Sequence, residues 1–282
     1  MIPMTRDVAR EAALRRRLHD ALWTFSPFCV DEADSTHTVM AALAGEGAPE
    51  GTFVLAERQT AGRGRFERTW ASPAGGLYLT LLVRPRADDL SAEALAKAEP
   101  PTARALYGLT ASLGVLDAVE GMVGPGLATL KWPNDLLADG RKLAGLLSVA
   151  GTDGRGAPYV ALGIGVNAAQ EPALLPLQAA RLADLGASDV DLDALAVAIV
   201  AAVAGHLERL RVGGSGPILN AWLARSGWAG RRVRVAADAA CPGDVTEGVV
   251  LGLGLMGELR VRRDDGAEVA LAAGDATIVK EG

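Results

Sequence analysis

The sequence predicts an α+β protein, a mixed β-sheet flanked by helices and followed by a small C-terminal β-barrel. Up to about residue 228, strand-like and helical stretches mix without the regular strand-helix alternation of a doubly wound sheet. Past Trp228 the texture changes to short alternating strands separated by glycine turns such as Asp265-Gly266. At 282 residues, 50% apolar, the chain can bury one large core and a second small one. The boundary falls near Gly227 to Gly230, dividing the chain into 1–228, with a helical extension over 1–30, and 229–282.

In chain order, Arg10 to Trp23 reads as a charged helix, with Leu14, Leu18 and Leu22 at four-residue spacing on one face. Asp31 to Gly47 reads as a loop feeding a short helix, with Val39, Met40 and Leu43 inward and Gly45 closing it. Thr52 to Glu57 and Leu77 to Val83 are strand-like, and the glycine-containing polar stretch between them is long for a plain connection. Thr102 to Val119 carries an apolar stripe at Leu106, Leu109, Leu113 and Leu116. Strands follow near 128–131, 142–149 and 159–166, with Leu146 and Leu147 assigned to the core. The apolar run Ala194 to Gly205 is too short to cross a bilayer comfortably, and reads as a core helix begun by Asp191 or Asp193. The barrel strands lie in 231–237, 247–253, 257–265, 267–273 and 276–280.

The net charge of −6 is dispersed, so the global balance recruits neither nucleic acid nor an anionic membrane, and any phosphate chemistry must come from a local basic cluster. Cys29 and Cys241 form no C-x-x-C pair and read as small buried hydrophobes. His19, His37 and His206 form no H-E-x-x-H motif, which leaves a zinc hydrolase without ligands. The N-terminus lacks the apolar stretch of a signal peptide, and the expected compartment is the cytoplasm.

Four motifs carry the chemistry. In Gly62 to Trp70 three arginines alternate with glycines and end in an aromatic, a pattern suited to phosphate oxygens and a nucleobase, and equally to a solvated charged loop. Its third G-x-G-x-x-G glycine is replaced by Glu67, so it is no dinucleotide fingerprint, and Gly252 to Gly257, which completes that pattern, runs into a strand and reads as a turn. Lys131-Trp132-Pro133-Asn134-Asp135 ends a strand with turn chemistry, and Lys142 opens the next strand, from which its ammonium can point back toward Asn134 and Asp135. Gly163-Ile164-Gly165-Val166-Asn167 is a buried strand whose glycines mark either a close approach or a bulge. Asp34-Ser35-Thr36-His37 begins a helix, where capping and anion holding both fit.

Together, DSTH, ERQTAGRGRxxRxW, KWPNDxxxxxRKLAG and GIGVN, in this order from Asp34 to Asn167, resemble the catalytic domain of bacterial biotin–protein ligases, and the terminal barrel resembles that family's SH3-like domain. The resemblance implies a class II synthetase-like sheet and an ATP-dependent ligase that adenylates biotin and transfers it to a lysine of a biotin carboxyl carrier protein. It matches Ser35, Thr36, His37, Gln59, Arg63, Gly64, Arg65 and Lys142 to biotin, and Arg65, Arg68, Trp70, Lys131, Asn134, Asp135 and Asn167 to ATP. Lys142, Arg63 and Arg65 carry the catalytic assignment, with Mg²⁺ riding on the phosphates and no metal held by protein ligands alone. Two positions depart from the family pattern: His37 replaces the usual asparagine, and Glu67 replaces a common loop glycine and would bring negative charge beside the phosphate path.

Three alternatives frame this reading. A lipoate–protein ligase shares the adenylation chemistry but fits the combined motifs less well. A DNA-binding repressor needs more than the one helix expected before Asp34. An RNA-binding module needs a basic face. No nucleic-acid or membrane partner is therefore expected, and exposed sheet edges leave room for a homodimer.

Overall fold

The computed structural model describes residues 5–86, 100–238 and 241–279. Helix α1 (Val8–Arg17) is capped by Asp7, whose carboxylate accepts the Arg10 N–H at 2.9 Å. Leu14 and Leu18 are buried, whereas Leu22 is 70% exposed, because the chain turns at Leu18 and sends Trp23 and Phe25 into the core instead. Strand β1 (Ser26–Ala33) continues through Asp31 and Glu32, where the sequence suggested a loop. Parallel pairing with β2 (Thr52–Gln59) accounts for the extension: Glu32 lies opposite Arg58 and meets it in an ion pair of 3.1 Å. Between them, α2 (Thr36–Gly45) buries Met40 completely and leaves Val39 and Leu43 half-buried.

Strand β3 (Leu77–Val83) is buried at every residue and sits near the middle of a seven-stranded sheet ordered β1-β2-β3-β7-β6-β5-β4. The remaining strands are β4 (Thr129–Lys131), β5 (Asp135–Ala138), β6 (Arg141–Thr152) and β7 (Pro158–Val166). Among the described strands only β1 and β2 pair in parallel, so the sheet is mixed. β5 was hidden by the turn residues that precede it. Its outer neighbour β4 is capped where the Trp228 indole N–H donates to the Leu130 carbonyl at 3.1 Å, while Arg6 bridges Val30 on the free side of β1. Both edges of the large sheet are thus partly covered, which weakens the edge-pairing route to a dimer.

Helices α3 (Pro100–Val123), α4 (Leu192–Gly213) and α5 (Ser215–Ser226) cover one face. The predicted leucine stripe of α3 is buried, but so are Tyr107, Ala111 and Val115. Among the described residues Arg104–Val123, rather than Ala194 to Gly205, is by composition the segment long and apolar enough to span a bilayer, yet its apolar stretch is 72% buried inside the molecule, as in a core helix. Gly114 lets α4 approach, since a Cβ there would lie 2.6 Å from the Val203 backbone nitrogen. Asp191 caps α4 with two backbone hydrogen bonds. Helix α5 escaped the sequence reading because Gly214, Gly216 and Pro217 look like breakers. Pro217 lies in the first turn, where its missing N–H is not needed.

The C-terminal unit is a five-stranded antiparallel sheet, ordered β11-β10-β9-β8-β12, from β8 (Arg232–Asp238), β9 (Cys241–Leu253), β10 (Leu259–Arg262), β11 (Glu268–Leu271) and β12 (Asp275–Ile278). Gly254 to Gly257 forms the β9–β10 turn. The Trp132 indole N–H donates to the Gly257 carbonyl at 3.0 Å and ties this unit to the large sheet. Cys29 is fully buried; the side chain of Cys241 and the strand end at Lys280 lie outside the described residues.

Candidate active site

One face of β6 and β7 is the floor of a cleft of about 920 Å³. Gly145 and Gly165 face each other in register, and the indole of Trp70 lies over the pair. A Cβ at Gly165 would come within 2.6 Å of that ring, and one at Gly145 within 3.0 Å. Two rungs along, on the same face, Leu147 faces Gly163, and the His37 imidazole packs onto Gly163. Between Gly163 and Val166 β7 shows no register shift against β6 or β3, so its glycines mark close approach rather than a bulge. The groups that approach are side chains of the same chain. Leu147 is half-buried and lines this floor rather than the core.

The polar groups of this wall are held by backbone. The Asn134 amide donates to the Leu146 carbonyl at 2.6 Å, and Asn167, 3% exposed, donates to the Lys142 carbonyl at 3.1 Å. The Lys142 ammonium lies 2.7 Å from Asp135 Oδ1 and 5.1 Å from the centre of the Trp70 ring. The Asp135 contact is an ion contact rather than an aligned hydrogen bond. Trp70 Nε1 is buried and has no hydrogen-bond partner, a polar orphan at the cleft.

At the start of α2, Ser35 caps the helix. Gln59 Oε1 accepts the Thr36 N–H at 2.8 Å and the Thr36 hydroxyl at 3.2 Å, that hydroxyl accepts from Thr80 at 2.8 Å, and the Gln59 amide donates to Ser72 at 2.8 Å. The network fixes Gln59 and Thr36 against the floor. His37 Nε2 lies 3.1 Å from the Leu147 carbonyl, an acceptor, so Nε2 carries the proton of the neutral ring. Burial pushes this imidazole down to about 4, with the Leu147 and Ala161 backbone acting against it and the nearby Arg63 charge in the same direction.

The glycine-arginine loop forms the opposite wall. Gly62 and Trp70 bond across its base at 2.9 Å, and Gly64 donates to the Arg68 carbonyl at 2.7 Å. Phe66 and Glu67 adopt φ of 54° and 57°, left-handed conformations that favour glycine, which explains why glycine suits position 67. Glu67 is exposed and does not line the cleft, so its charge does not sit on the cleft surface. The Arg65 guanidinium donates to Asn134 Oδ1 and to the Gly274 carbonyl, each at 3.2 Å, and burial lowers its pKa from the ordinary value. Arg63 reaches the Thr38 hydroxyl at 3.3 Å.

All fourteen residues singled out from the sequence, Ser35, Thr36, His37, Gln59, Arg63, Gly64, Arg65, Arg68, Trp70, Lys131, Asn134, Asp135, Lys142 and Asn167, line this one cleft. Sequence reasoning missed what the C-terminal unit adds. Asp275 meets Lys131 at 2.8 Å and Arg68 at 3.7 Å, and Gly274 supplies the carbonyl for Arg65. Burial pushes the Asp275 carboxyl up, but the Lys131 hydrogen bond and charge, with Arg68 and Lys142 behind, hold it below the ordinary carboxylate value. Arg231 and Leu175, Pro176, Gln178 and Ala179 also line the cleft, and no motif marked them.

The lining holds six basic residues, Arg63, Arg65, Arg68, Lys131, Lys142 and Arg231, and two acidic ones, Asp135 and Asp275. The surplus is four positive charges in a chain of net charge −6. Such a cleft attracts polyanions. Both carboxylates are engaged by cations, and no cluster of three metal-ligating side chains occurs among the described residues, so these side chains do not form a cage for a divalent ion.

Residues 29–167 match the biotin/lipoate A/B protein ligase family. The biotin–[acetyl-CoA-carboxylase] ligase of Paracoccus denitrificans is 34% identical over 246 residues, covering 85% of this chain and 95% of its own length. That of Mycobacterium tuberculosis is 36% identical over 210 residues, 73% of each chain. A biotin protein ligase from Aquifex aeolicus, solved in complex with biotin and ATP, superposes with a TM-score of 0.71 at 23% identity, over 90% of this chain and 99% of that one, a likeness of fold. With its four motifs gathered in one basic cleft and relatives aligned along most of its length, the chain belongs to the biotin–protein ligases of the biotin/lipoate A/B protein ligase family.

Proposed function

We propose that this cleft joins biotin to ATP and passes the biotinyl group to a lysine of a carrier protein. The observation that carries the proposal is the convergence of six cations from separate parts of the chain on a single cleft. The first step brings two anions together. The biotin carboxylate oxygen attacks the α-phosphorus of ATP, a new P–O bond forms, and the bond to the β-phosphate bridging oxygen breaks, releasing pyrophosphate. In the second step the acceptor ε-amine attacks the biotinyl carbonyl carbon, AMP leaves, and the nitrogen loses a proton.

The roles are those that the family resemblance implies for each position. Ser35, Thr36, His37, Gln59 and Gly64 receive biotin, and Arg68, Trp70, Lys131, Asn134, Asp135 and Asn167 receive ATP. Arg63, Arg65 and Lys142 lie where carboxylate and α-phosphate meet, screening their repulsion and stabilising charge that develops in the transition state. Asp135 steadies the Lys142 ammonium. The Trp70 ring, with an unpartnered N–H, offers a stacking face on the nucleotide side. Mg²⁺ supplies further charge neutralisation when carried by the phosphates. The loop from Gly62 to Trp70 shields the mixed anhydride from water until an acceptor arrives. On the same reading the acceptor is a biotin carboxyl carrier domain, and nucleic acid has no part.

Isothermal titration with biotin, followed by mass spectrometry of the protein after addition of ATP and Mg²⁺, tests the assignment. Binding of one biotin and a retained biotinyl-5′-AMP mass are expected. Adenylation of lipoate in preference to biotin, or no adenylate at all, contradicts it.

A further inference from the structure

The floor of the cleft under the start of α2 is closed by an unusual pairing. His37, at the second position of α2, is 8% exposed, and its ring occupies the space a side chain at position 163 would need: a Cβ on Gly163 would lie 2.8 Å from both ring nitrogens and closer still to Cε1. The ring is fixed from the other side by the bond from Nε2 to the Leu147 carbonyl, which belongs to the residue paired with Gly163 across β6 and β7. Ring, glycine and carbonyl therefore form one interlocked unit reaching from the helix to two strands. Ser35 and Thr36, which precede it, Gln59, which accepts from Thr36, and Leu147, its hydrogen-bond partner, line the same cleft, so this end offers a few polar groups, one leucine and one imidazole edge.

We infer that His37, seated in the Gly163 notch, sets the depth of the acid-binding end of the cleft and so acts as a specificity-determining residue for the ring head of the carboxylic acid substrate. This deepens the ligase assignment and rests on its placement of the acid beside Ser35, Thr36 and Gln59. A neutral ring held by a backbone carbonyl is a rigid wall, because moving it strands a buried N–H and carbonyl without partners. Acids whose ring system is larger than the bicyclic head of biotin are excluded by shape, and no charge is offered to them, since burial keeps the imidazole uncharged at neutral pH. A side chain too short to fill the notch deepens the pocket. A side chain added at 163 drives the imidazole into the space the substrate uses.

The test compares wild type with His37→Ala, Gly163→Ala and the double variant, using biotin and a biotin analogue with a ring-enlarged head as acids and ATP as the nucleotide. For His37→Ala the expected result is a KM for biotin raised about tenfold, kcat and the KM for ATP within about threefold of wild type, and measurable adenylation of the enlarged analogue. Gly163→Ala is expected to lose biotin adenylation by more than tenfold, and the double variant to recover at least part of it. The proposal is overturned if the analogue stays excluded and the KM for biotin is unchanged in a folded His37→Ala protein, or if removing the ring fails to rescue Gly163→Ala. Wild type that adenylates no biotin would overturn the underlying assignment as well, which separates the two failures.

Discussion

On its sheet side the cleft presents polar groups pinned to paired strands, whereas on its loop side it presents cations on a tight excursion closed by Gly62 and Trp70. Asn134 and Asn167 are each tied to a backbone carbonyl of β6, and Lys142 is set between Asp135 and the Trp70 ring. Arg63 and Arg68, by contrast, are exposed, and the tip between them passes through two consecutive left-handed residues. Strand-borne groups are preorganised, so they can contribute where charge develops without reorganising, while a loop can close over a product and open to release it. The difference teaches a division of labour, in which the sheet side holds its groups fixed for making the adenylate and the loop, besides lending Arg63 and Arg65 to that step, keeps the product.

The largest expected effect breaks the sheet side. Lys142→Ala should slow adenylation about 10²–10³-fold, the scale seen when one transition-state charge contact is removed. Its stability cost should stay near 1 kcal/mol because the ammonium is 38% exposed, which a thermal melt will check.

Acid should strike the α2 end of the cleft next. The His37 pKa of about 4 lies below its ordinary value of 6.5, so between these values the unfolded chain binds a proton that the folded protein refuses. Stability from this group is complete above pH 6.5 and is lost as pH falls toward 4, by roughly 3 kcal/mol at most. Urea melts across that window should show His37→Asn losing less stability than wild type; equal slopes would remove the histidine from the account.

Gly165→Ala tests the seat of Trp70. The added methyl meets the indole, and a loss of about 1–3 kcal/mol is expected, with a raised KM for ATP and a near-normal KM for biotin. The smallest effect concerns the loop tip. Glu67→Gly should change stability by less than about 1 kcal/mol, because relief of left-handed strain and the greater freedom of the unfolded chain oppose one another. With the carboxylate outside the cleft, the KM for ATP should move less than about twofold.

What was legible in the sequence was local. The loop of Gly62 to Trp70, the KWPND turn with Lys142, and the DSTH helix start are each contiguous patterns whose residue types betray their chemistry, and the alternating texture past Trp228 announced the small β unit. What was hidden depends on contacts distant in sequence. Asp275 lies 144 residues from Lys131 and resembles any strand-edge aspartate until the C-terminal unit docks. Gly163 reveals nothing of His37 until β7 is placed beneath α2. β5 was obscured by Pro133 and Asn134, whose turn preferences describe only the residues before it, and α5 by glycines and a proline that a helix start tolerates. The stripe of α1 extended too far because spacing alone cannot report that the chain turns at Leu18.

The division of labour is tested most directly by the escape rate of preformed biotinyl-5′-AMP, followed by chase with unlabelled biotin in wild type, Arg63→Ala and Asn134→Ala. The account predicts that Arg63→Ala makes the adenylate more slowly and releases what it makes at least about tenfold faster, and that Asn134→Ala makes it slowly and retains what it makes. Unaltered retention in Arg63→Ala, together with rapid escape from Asn134→Ala, would contradict it.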